Sequence, residues 1–158
     1  MAVQKNNPIS LDGFNKLMQE YRTLGEERPK IVEEVSLAAR QGDRSENAEY
    51  IYGKRRLRQI DGRMHFLSTR MEAARVVNPA EQTGSIILFG ATVTLENEQG
   101  KSFVWQILGE DEVDVSQGKI SWKSPLGRAL IKKEINEEVE VETPRGPAYY
   151  RIVHFEFK

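Results

Sequence analysis

Two apolar stripes on either side of one polar turn constrain the fold of this sequence most. The first stripe repeats in alternating steps of three and four residues and breaks only where Arg28 takes an apolar position. Its members are Phe14, Leu17, Tyr21, Leu24, Ile31, Val35 and Ala38. The second stripe has the same period and contains Tyr50, Leu57, Ile60, Met64, Leu67, Met71 and Ala74. Two such stripes joined by a turn predict an antiparallel coiled-coil hairpin.

The ends of the two helices can also be predicted from local residue types. Ser10 is a suitable N-cap for the first helix, whereas Pro29 should kink that helix or make it restart. The turn falls within residues 41–45, where either Asp43 or Ser45 can cap the second helix. With arms of roughly 30 residues at about 1.5 Å per residue, the tip should stand ~45 Å from the base.

Beyond the hairpin, the pattern changes from helical to strand-like. Turn-forming residues dominate the stretch 78–84, and a short helix is expected from Pro125 to Lys132 because Ser124 can cap it. β-branched and aromatic runs predict strands at residues 91–96, 102–108, 119–123, 138–143 and 149–157. The predicted fold class is α+β. A helical hairpin would occupy residues 1–78, a linker 79–84, and a small antiparallel sheet domain with one short helix 85–158.

The composition excludes several classes of protein and indicates a cellular compartment. The chain has no cysteine, which excludes disulfides and thiolate metal sites, and it contains no apolar run long enough for a signal peptide or a membrane span. We therefore expect a soluble, cytoplasmic protein.

Charge is unevenly distributed along the chain. Residues 54–75 carry seven Lys or Arg against two acids, net +5, whereas residues 81–158 carry nine basic and thirteen acidic residues, net −4.

The turn contains two acids, Asp43 and Glu46, at a spacing of three residues. Carboxylate oxygens suit Mg²⁺, which commonly takes only one or two protein carboxylates and draws its other ligands from water and phosphate. Two acids alone should hold the ion weakly, so a second macromolecule would have to complete the site. The same spacing at a helix start is also typical of a capping arrangement, and the sequence leaves both interpretations open.

The acids run directly into an aromatic and basic segment. Tyr50 and Tyr52 are followed by Lys54, Arg55, Arg56 and Arg58. Basic side chains can contact the phosphates of single-stranded RNA, and a tyrosine can stack on a base or form a hydrogen bond with it. A solvated basic helix face is the simpler alternative. The isolated His65 and His154 are interpreted as structural residues rather than metal ligands.

These residues together resemble the Gre family of transcript cleavage factors. The resemblance covers nearly the whole chain and is most specific at Gly42–Tyr50, with further matches at Glu27–Pro29, Phe89–Ala91, Ser124–Leu130 and Thr143–Pro144. The Arg44–Ser45 pair and the basic run from Lys54 to Arg58 are more similar to the GreB type than to the GreA type.

The resemblance implies a partner, a cofactor and a set of site residues. The hairpin would enter the secondary channel of bacterial RNA polymerase, with a C-terminal domain of FKBP-like fold at the channel mouth. Asp43 and Glu46 would be the catalytic acids that help to hold a Mg²⁺ ion shared with the polymerase active site. The backtracked 3′ end of the RNA would contact Lys54, Arg55, Arg56 and Arg58, and the polymerase would contact Ser124, Pro125 and Leu126.

Under this interpretation the protein is not itself an enzyme but an accessory factor that activates RNA cleavage by the polymerase. Two alternatives remain open. A binding module could occupy the same channel and regulate the polymerase without promoting cleavage. Peptidyl-prolyl isomerase activity is suggested by the implied FKBP-like fold alone, and a fold does not confer an activity.

Overall fold

The computed structural model describes residues 5–41 and 47–158 and confirms the predicted α+β fold class. The chain separates into two compact units. One comprises residues 15–73, and the other combines residues 5–14 with residues 74–158. Within the described ranges, neither long helix contains an apolar stretch suited to crossing a lipid bilayer.

The first unit is the predicted hairpin, built from α1 (Leu11–Arg40) and α2 (Ala48–Glu72). Its buried residues recur at every seventh position, at Leu17, Leu24, Ile31 and Ala38 in α1 and at Gly53, Ile60 and Leu67 in α2. Within the hairpin, the remaining members of the two predicted stripes are mostly half-buried. The hairpin therefore has a narrow apolar seam of the kind that a heptad pattern produces.

Paired charges flank this seam. The guanidinium of Arg56 donates to both carboxylate oxygens of Glu27 at 2.8 and 2.7 Å. Arg28 binds Asp61 in the same way at 2.7 and 3.2 Å, and Arg63 binds Glu20 at 2.5 and 2.9 Å. Arg28, which interrupts the apolar stripe, is thus neutralised by the opposite helix.

Pro29 does not make the first helix restart, because α1 is continuous from Leu11 to Arg40. Proline lacks the amide that would bond to the carbonyl of residue 25, and its ring crowds that carbonyl. The two preceding residues, Glu27 and Arg28, are both bound to α2 through paired hydrogen bonds. We attribute the continuity of α1 to this anchoring of the weakened turn.

The second unit contains a strand pair that the residue pattern did not predict. β1 (Asn7–Ser10) runs parallel to β2 (Ala74–Val77). Ser10 caps α1 as expected, since its hydroxyl oxygen accepts a hydrogen bond from the Gly13 amide at 3.0 Å. The carboxylate of Glu112 accepts from the Ser10 amide at 3.0 Å and from the Ser10 hydroxyl. One carboxylate therefore fixes the cap residue of α1 to a loop about a hundred residues away.

The main sheet of this unit has five strands in the order β5-β4-β3-β7-β6. Their bounds are β3 (Ala91–Asn97), β4 (Ser102–Leu108), β5 (Lys119–Ser121), β6 (Glu138–Thr143) and β7 (Gly146–Phe157). All neighbours are antiparallel except β4 and β5, which are parallel. The predicted antiparallel sheet therefore has one parallel pair at an edge.

One face of this sheet carries the apolar core. Leu95, Ile107 and Ile152 are fully buried there. The predicted short helix is α3 (Pro125–Leu130), and its Leu126, Ala129 and Leu130 pack into the same core. Buried residues alternate with half-buried ones along β3 and with exposed ones along β6, which matches the two-residue period of a half-buried strand.

Candidate functional site

Beside the turn, the side chain of Asn47 forms hydrogen bonds with both helices of the hairpin. Its amide oxygen accepts hydrogen bonds from the backbone amides of Glu49 at 3.1 Å and Tyr50 at 3.2 Å. Its amide nitrogen donates to the carbonyl of Ala38 near the end of α1 at 2.7 Å. Asn47 thus caps α2 and links its start to the last turn of α1.

This arrangement corrects the predicted cap of α2. Asp43 and Ser45 were the predicted candidates for that role, but α2 begins at Ala48 and Asn47 is the residue that caps it. Asparagine suits this position because one amide both accepts from the helix start and donates to the opposite helix, whereas an ionised carboxylate can only accept.

The predicted catalytic acids, Asp43 and Glu46, lie outside the described residues. Their assignment as Mg²⁺ ligands therefore stays a prediction. In the described part of the chain, no group of three or more His, Asp or Glu side chains is arranged to hold a metal ion.

The predicted RNA-contacting residues differ in their surroundings. Lys54, Arg55 and Arg58 are exposed, and none of them forms an ion pair within the described residues. Arg56 is only one-third exposed and is bound through both ends of its guanidinium fork to Glu27. The hydrogen bond from Arg56 lowers the pKa of Glu27, and the same bond raises the pKa of Arg56. The structure therefore leaves three of the four cations available to an anionic ligand.

Two family profiles match the two units of this chain. The profile described as "Transcription elongation factor, N-terminal" covers residues 7–76, and the profile described as "Transcription elongation factor, GreA/GreB, C-term" covers residues 81–157. The chain belongs to the GreA/GreB family. Its members are transcription elongation factors by description, and the family resemblance stated from the sequence is confirmed.

Individual GreA/GreB proteins support the predicted GreB type. The chain is 49% identical to GreB of Haemophilus ducreyi over 94% of this chain and 92% of that protein. It is 50% identical to GreB of Pasteurella multocida over 90% of each chain. A solved structure, GreA factor homolog 1 of Thermus thermophilus, matches with a TM-score of 0.43 at 23% identity and covers 95% of this chain and 98% of that one.

The predicted polymerase-binding residues of this GreA/GreB family member lie at the start of α3. The Ser124 hydroxyl accepts from the Gly127 amide at 3.1 Å and donates to the Ser121 carbonyl at 2.6 Å. Pro125 is exposed and Leu126 is half-buried against the core. Ser124 therefore shapes this turn, while Pro125 is the most accessible of the three side chains.

Two residues that organise the hairpin of this GreA/GreB chain were not predicted from the sequence. Asn47 was not considered as a cap, although asparagine is among the residues that favour this position and it directly precedes Ala48. Glu27 was noted only as part of a family match, and its bond to Arg56 depends on the register of the two helices. Helix-boundary signals could have found the first residue, but no local signal specifies the second.

Proposed function

We propose that this GreA/GreB family protein enters the secondary channel of bacterial RNA polymerase and stimulates cleavage of backtracked RNA. The polymerase performs the cleavage, and the protein supplies groups at the tip of its hairpin. Family membership supports a role in transcription elongation. Two helices of 30 and 25 residues joined by a short loop are a suitable device for carrying that loop into a deep channel.

The observation that carries the proposal is the role of Asn47. An N-cap side chain normally satisfies amides in the first turn of a helix, and in α2 the Glu49 and Tyr50 amides are bonded to Asn47. Because these amides already have a partner, Asp43 and Glu46 are not needed to cap α2. This favours the other interpretation, in which their negative charge serves the RNA cleavage site.

We assign Asp43 and Glu46 the task of holding a Mg²⁺ ion jointly with the polymerase. Carboxylate oxygens fit this ion, and two of them are too few to bind it tightly without further ligands. When bound, such an ion supplies an activated water and neutralises charge on the phosphate. The factor's contribution is then to place two carboxylates where the polymerase and the RNA provide the remaining ligands.

The basic flank would hold the RNA whose 3′ end has left the active site. Lys54, Arg55 and Arg58 are exposed and can contact its phosphates. Arg56 is instead paired with Glu27 through two of its guanidinium nitrogens, and the third donates to the Gln59 side chain at 3.4 Å. At the other unit, Ser124, Pro125 and Leu126 would contact the polymerase.

The test compares Asp43→Asn and Glu46→Gln with Glu49→Gln, a matched loss of charge in the first turn of α2. Loss of electrostatic support for a catalytic ion should slow cleavage by roughly a hundredfold at matched polymerase occupancy. Glu49→Gln should cleave at nearly the wild-type rate. The measurement is shortening of end-labelled RNA in a stalled, backtracked complex, with occupancy set by competition against wild type.

Two results would contradict the proposal in different ways. Near-wild-type cleavage by both Asp43→Asn and Glu46→Gln would remove the catalytic role of the acids. A wild-type protein that binds the polymerase and leaves RNA cleavage unchanged would instead support the alternative, a regulator that occupies the channel without catalysis.

A further inference from the structure

Tyr52 is the most exposed aromatic side chain in the described part of the hairpin. It lies in the second turn of α2, next to the seam residue Gly53, and 65% of its surface is accessible. A single exposed apolar residue is ordinary on a protein surface. What distinguishes Tyr52 is its surroundings, because the helix places it beside the most basic segment of the chain.

Two arginines lie one helical turn away from Tyr52 and differ in their bonding. Arg55 and Arg56 follow it by three and four residues, which makes both of them surface neighbours. Arg56 is bound to Glu27, and its pKa is raised chiefly by that hydrogen bond and to a smaller extent by the nearby Tyr52 phenol. Arg55 is exposed and forms no ion pair within the described residues. The Tyr52 ring therefore lies near one guanidinium bound to Glu27, that of Arg56, and one that can bind a ligand, that of Arg55.

We propose that Tyr52 is a stacking platform for one base of the extruded RNA, with Arg55 contacting an adjacent phosphate. This inference rests on the proposed function. Single-stranded RNA combines unstacked bases with a charged backbone, and proteins bind it through aromatic platforms flanked by basic side chains. Every base has a π face, so the contact would tolerate any RNA sequence.

The charge pattern favours RNA over a protein surface as the occupant. Four of the five residues from Lys54 to Arg58 are basic. Arg56 is paired with Glu27, so the uncompensated positive charge near the ring comes from the exposed Lys54, Arg55 and Arg58. An anionic ligand with flat faces is complementary to this combination. The wall of the polymerase channel is the competing occupant, and the experiment separates the two.

The test uses the full-length protein on elongation complexes whose extruded RNA carries a fluorescent purine analogue, which stacking quenches. Tyr52→Leu removes the ring but keeps a good helix former, Tyr52→Phe keeps the ring, and Tyr149→Leu removes an exposed tyrosine from the sheet unit. Wild type, Tyr52→Phe and Tyr149→Leu should quench the analogue, whereas Tyr52→Leu should not. On long backtracked RNA, half-saturation by Tyr52→Leu should require about fivefold or more protein.

The possible results distinguish a failure of the stacking proposal from a failure of the proposed function. Quenching by Tyr52→Leu at the wild-type level would overturn the stacking. An equal loss of affinity on complexes without extruded RNA would overturn it too, because the ring would then contact the polymerase. If wild-type protein quenches through Tyr52 but stimulates no cleavage, the stacking stands and the proposed function fails. Circular dichroism of each variant confirms that the helix persists.

Discussion

Different interactions stabilise the helical hairpin and the sheet unit. In the hairpin, about one residue in every seven along each helix is buried, and arginine–carboxylate pairs border the seam. In the sheet unit, one face is covered by a cluster that includes the fully buried Leu95, Ile107, Leu130 and Ile152. The first arrangement leaves most of both helices in water, whereas the second removes a whole face from it.

This difference implies that the two units contribute unequally to the folding free energy. Burial of a large aliphatic side chain contributes about 1.5–3 kcal/mol, whereas an ion pair at the surface contributes roughly 1 kcal/mol or less. We infer that the sheet unit carries more of the folding free energy and that the hairpin uses a minimal core to present its turn. Trp105 and Trp122 both lie in the sheet unit, so tryptophan fluorescence reports on that unit and far-UV circular dichroism reports mainly on the helices.

The largest effect is expected from truncating the sheet core. Leu95→Ala should lower the free energy of unfolding by about 2–5 kcal/mol, because it leaves a cavity at a site with no accessible surface. Denaturant titration followed by tryptophan fluorescence measures the loss. Val104→Ala is the control, since Val104 lies in the same sheet with more than half of its surface exposed and should cost about 0.5 kcal/mol or less. Equal losses in the two variants would show that this face is not the main core.

An intermediate effect is expected where a glycine allows close packing in each unit. A methyl group at Gly127 would overlap the Ser121 carbonyl oxygen, and one at Gly53 would overlap a methyl of Val35. Gly127→Ala and Gly53→Ala should each cost about 1–3 kcal/mol, although alanine favours helices. Thermal unfolding followed by tryptophan fluorescence measures the change in Gly127→Ala, and circular dichroism measures the change in Gly53→Ala.

A second substitution sharpens the contrast between these glycines. Val35→Ala should restore most of the stability lost in Gly53→Ala, because a side chain can be shortened. No comparable substitution relieves Gly127→Ala, where the obstacle is a backbone oxygen. Failure of the Val35→Ala rescue would mean that Gly53 is required for another reason.

The smallest effect is expected from the ion pairs of the hairpin. Hydrogen bonds from arginine lower the pKa of Glu20 and Glu27 below the ordinary value of 4.5, and that of Asp61 below 3.8. Because the folded-state pKa values are depressed, this stabilisation is complete above the ordinary values and is lost as the pH falls through the lowered ones. Helix content near the melting temperature should therefore decline as the pH falls below about 4.5.

The combined variant Glu20→Gln, Glu27→Gln and Asp61→Asn provides the control for this pH effect. It should melt slightly earlier than wild type at neutral pH and should lose much of the acid dependence of the helix signal. Added salt should lower the wild-type melting temperature more than that of the variant, because the pairs are partly exposed. An unchanged acid dependence in the variant would assign it to other carboxylates, such as Asp114 in the sheet unit, whose pKa is lowered by the Ser116 hydroxyl.

Much of the fold could be predicted because periodicity is a local property. β4 and β6 have the predicted bounds, and α3 begins at the predicted Pro125 after the predicted Ser124 cap. The short strands β1 and β2 were missed because each has four residues and their pairing joins segments more than sixty residues apart. Four residues are too few to show a period of two convincingly.

The candidate site was predicted in composition but not in arrangement. Residue types alone marked the basic run that follows the turn and the acids Asp43 and Glu46, whose role stays a prediction. They could not show that Arg56 is engaged by Glu27 while Arg55 is exposed, since these adjacent arginines are chemically identical. The register of α2 against α1 makes that distinction.

The sequence by itself determined the helices, the five strands of the main sheet and the family to which the chain belongs, because these features are carried by patterns of residues a few positions apart. Only the tertiary structure decided which polar groups meet. Asn47 reaches the Ala38 carbonyl, and Glu112 fixes the cap residue Ser10 from about a hundred residues away. Such contacts depend on how distant segments pack, and hydrogen-bond geometry selects between neighbouring residues by differences of less than one ångström.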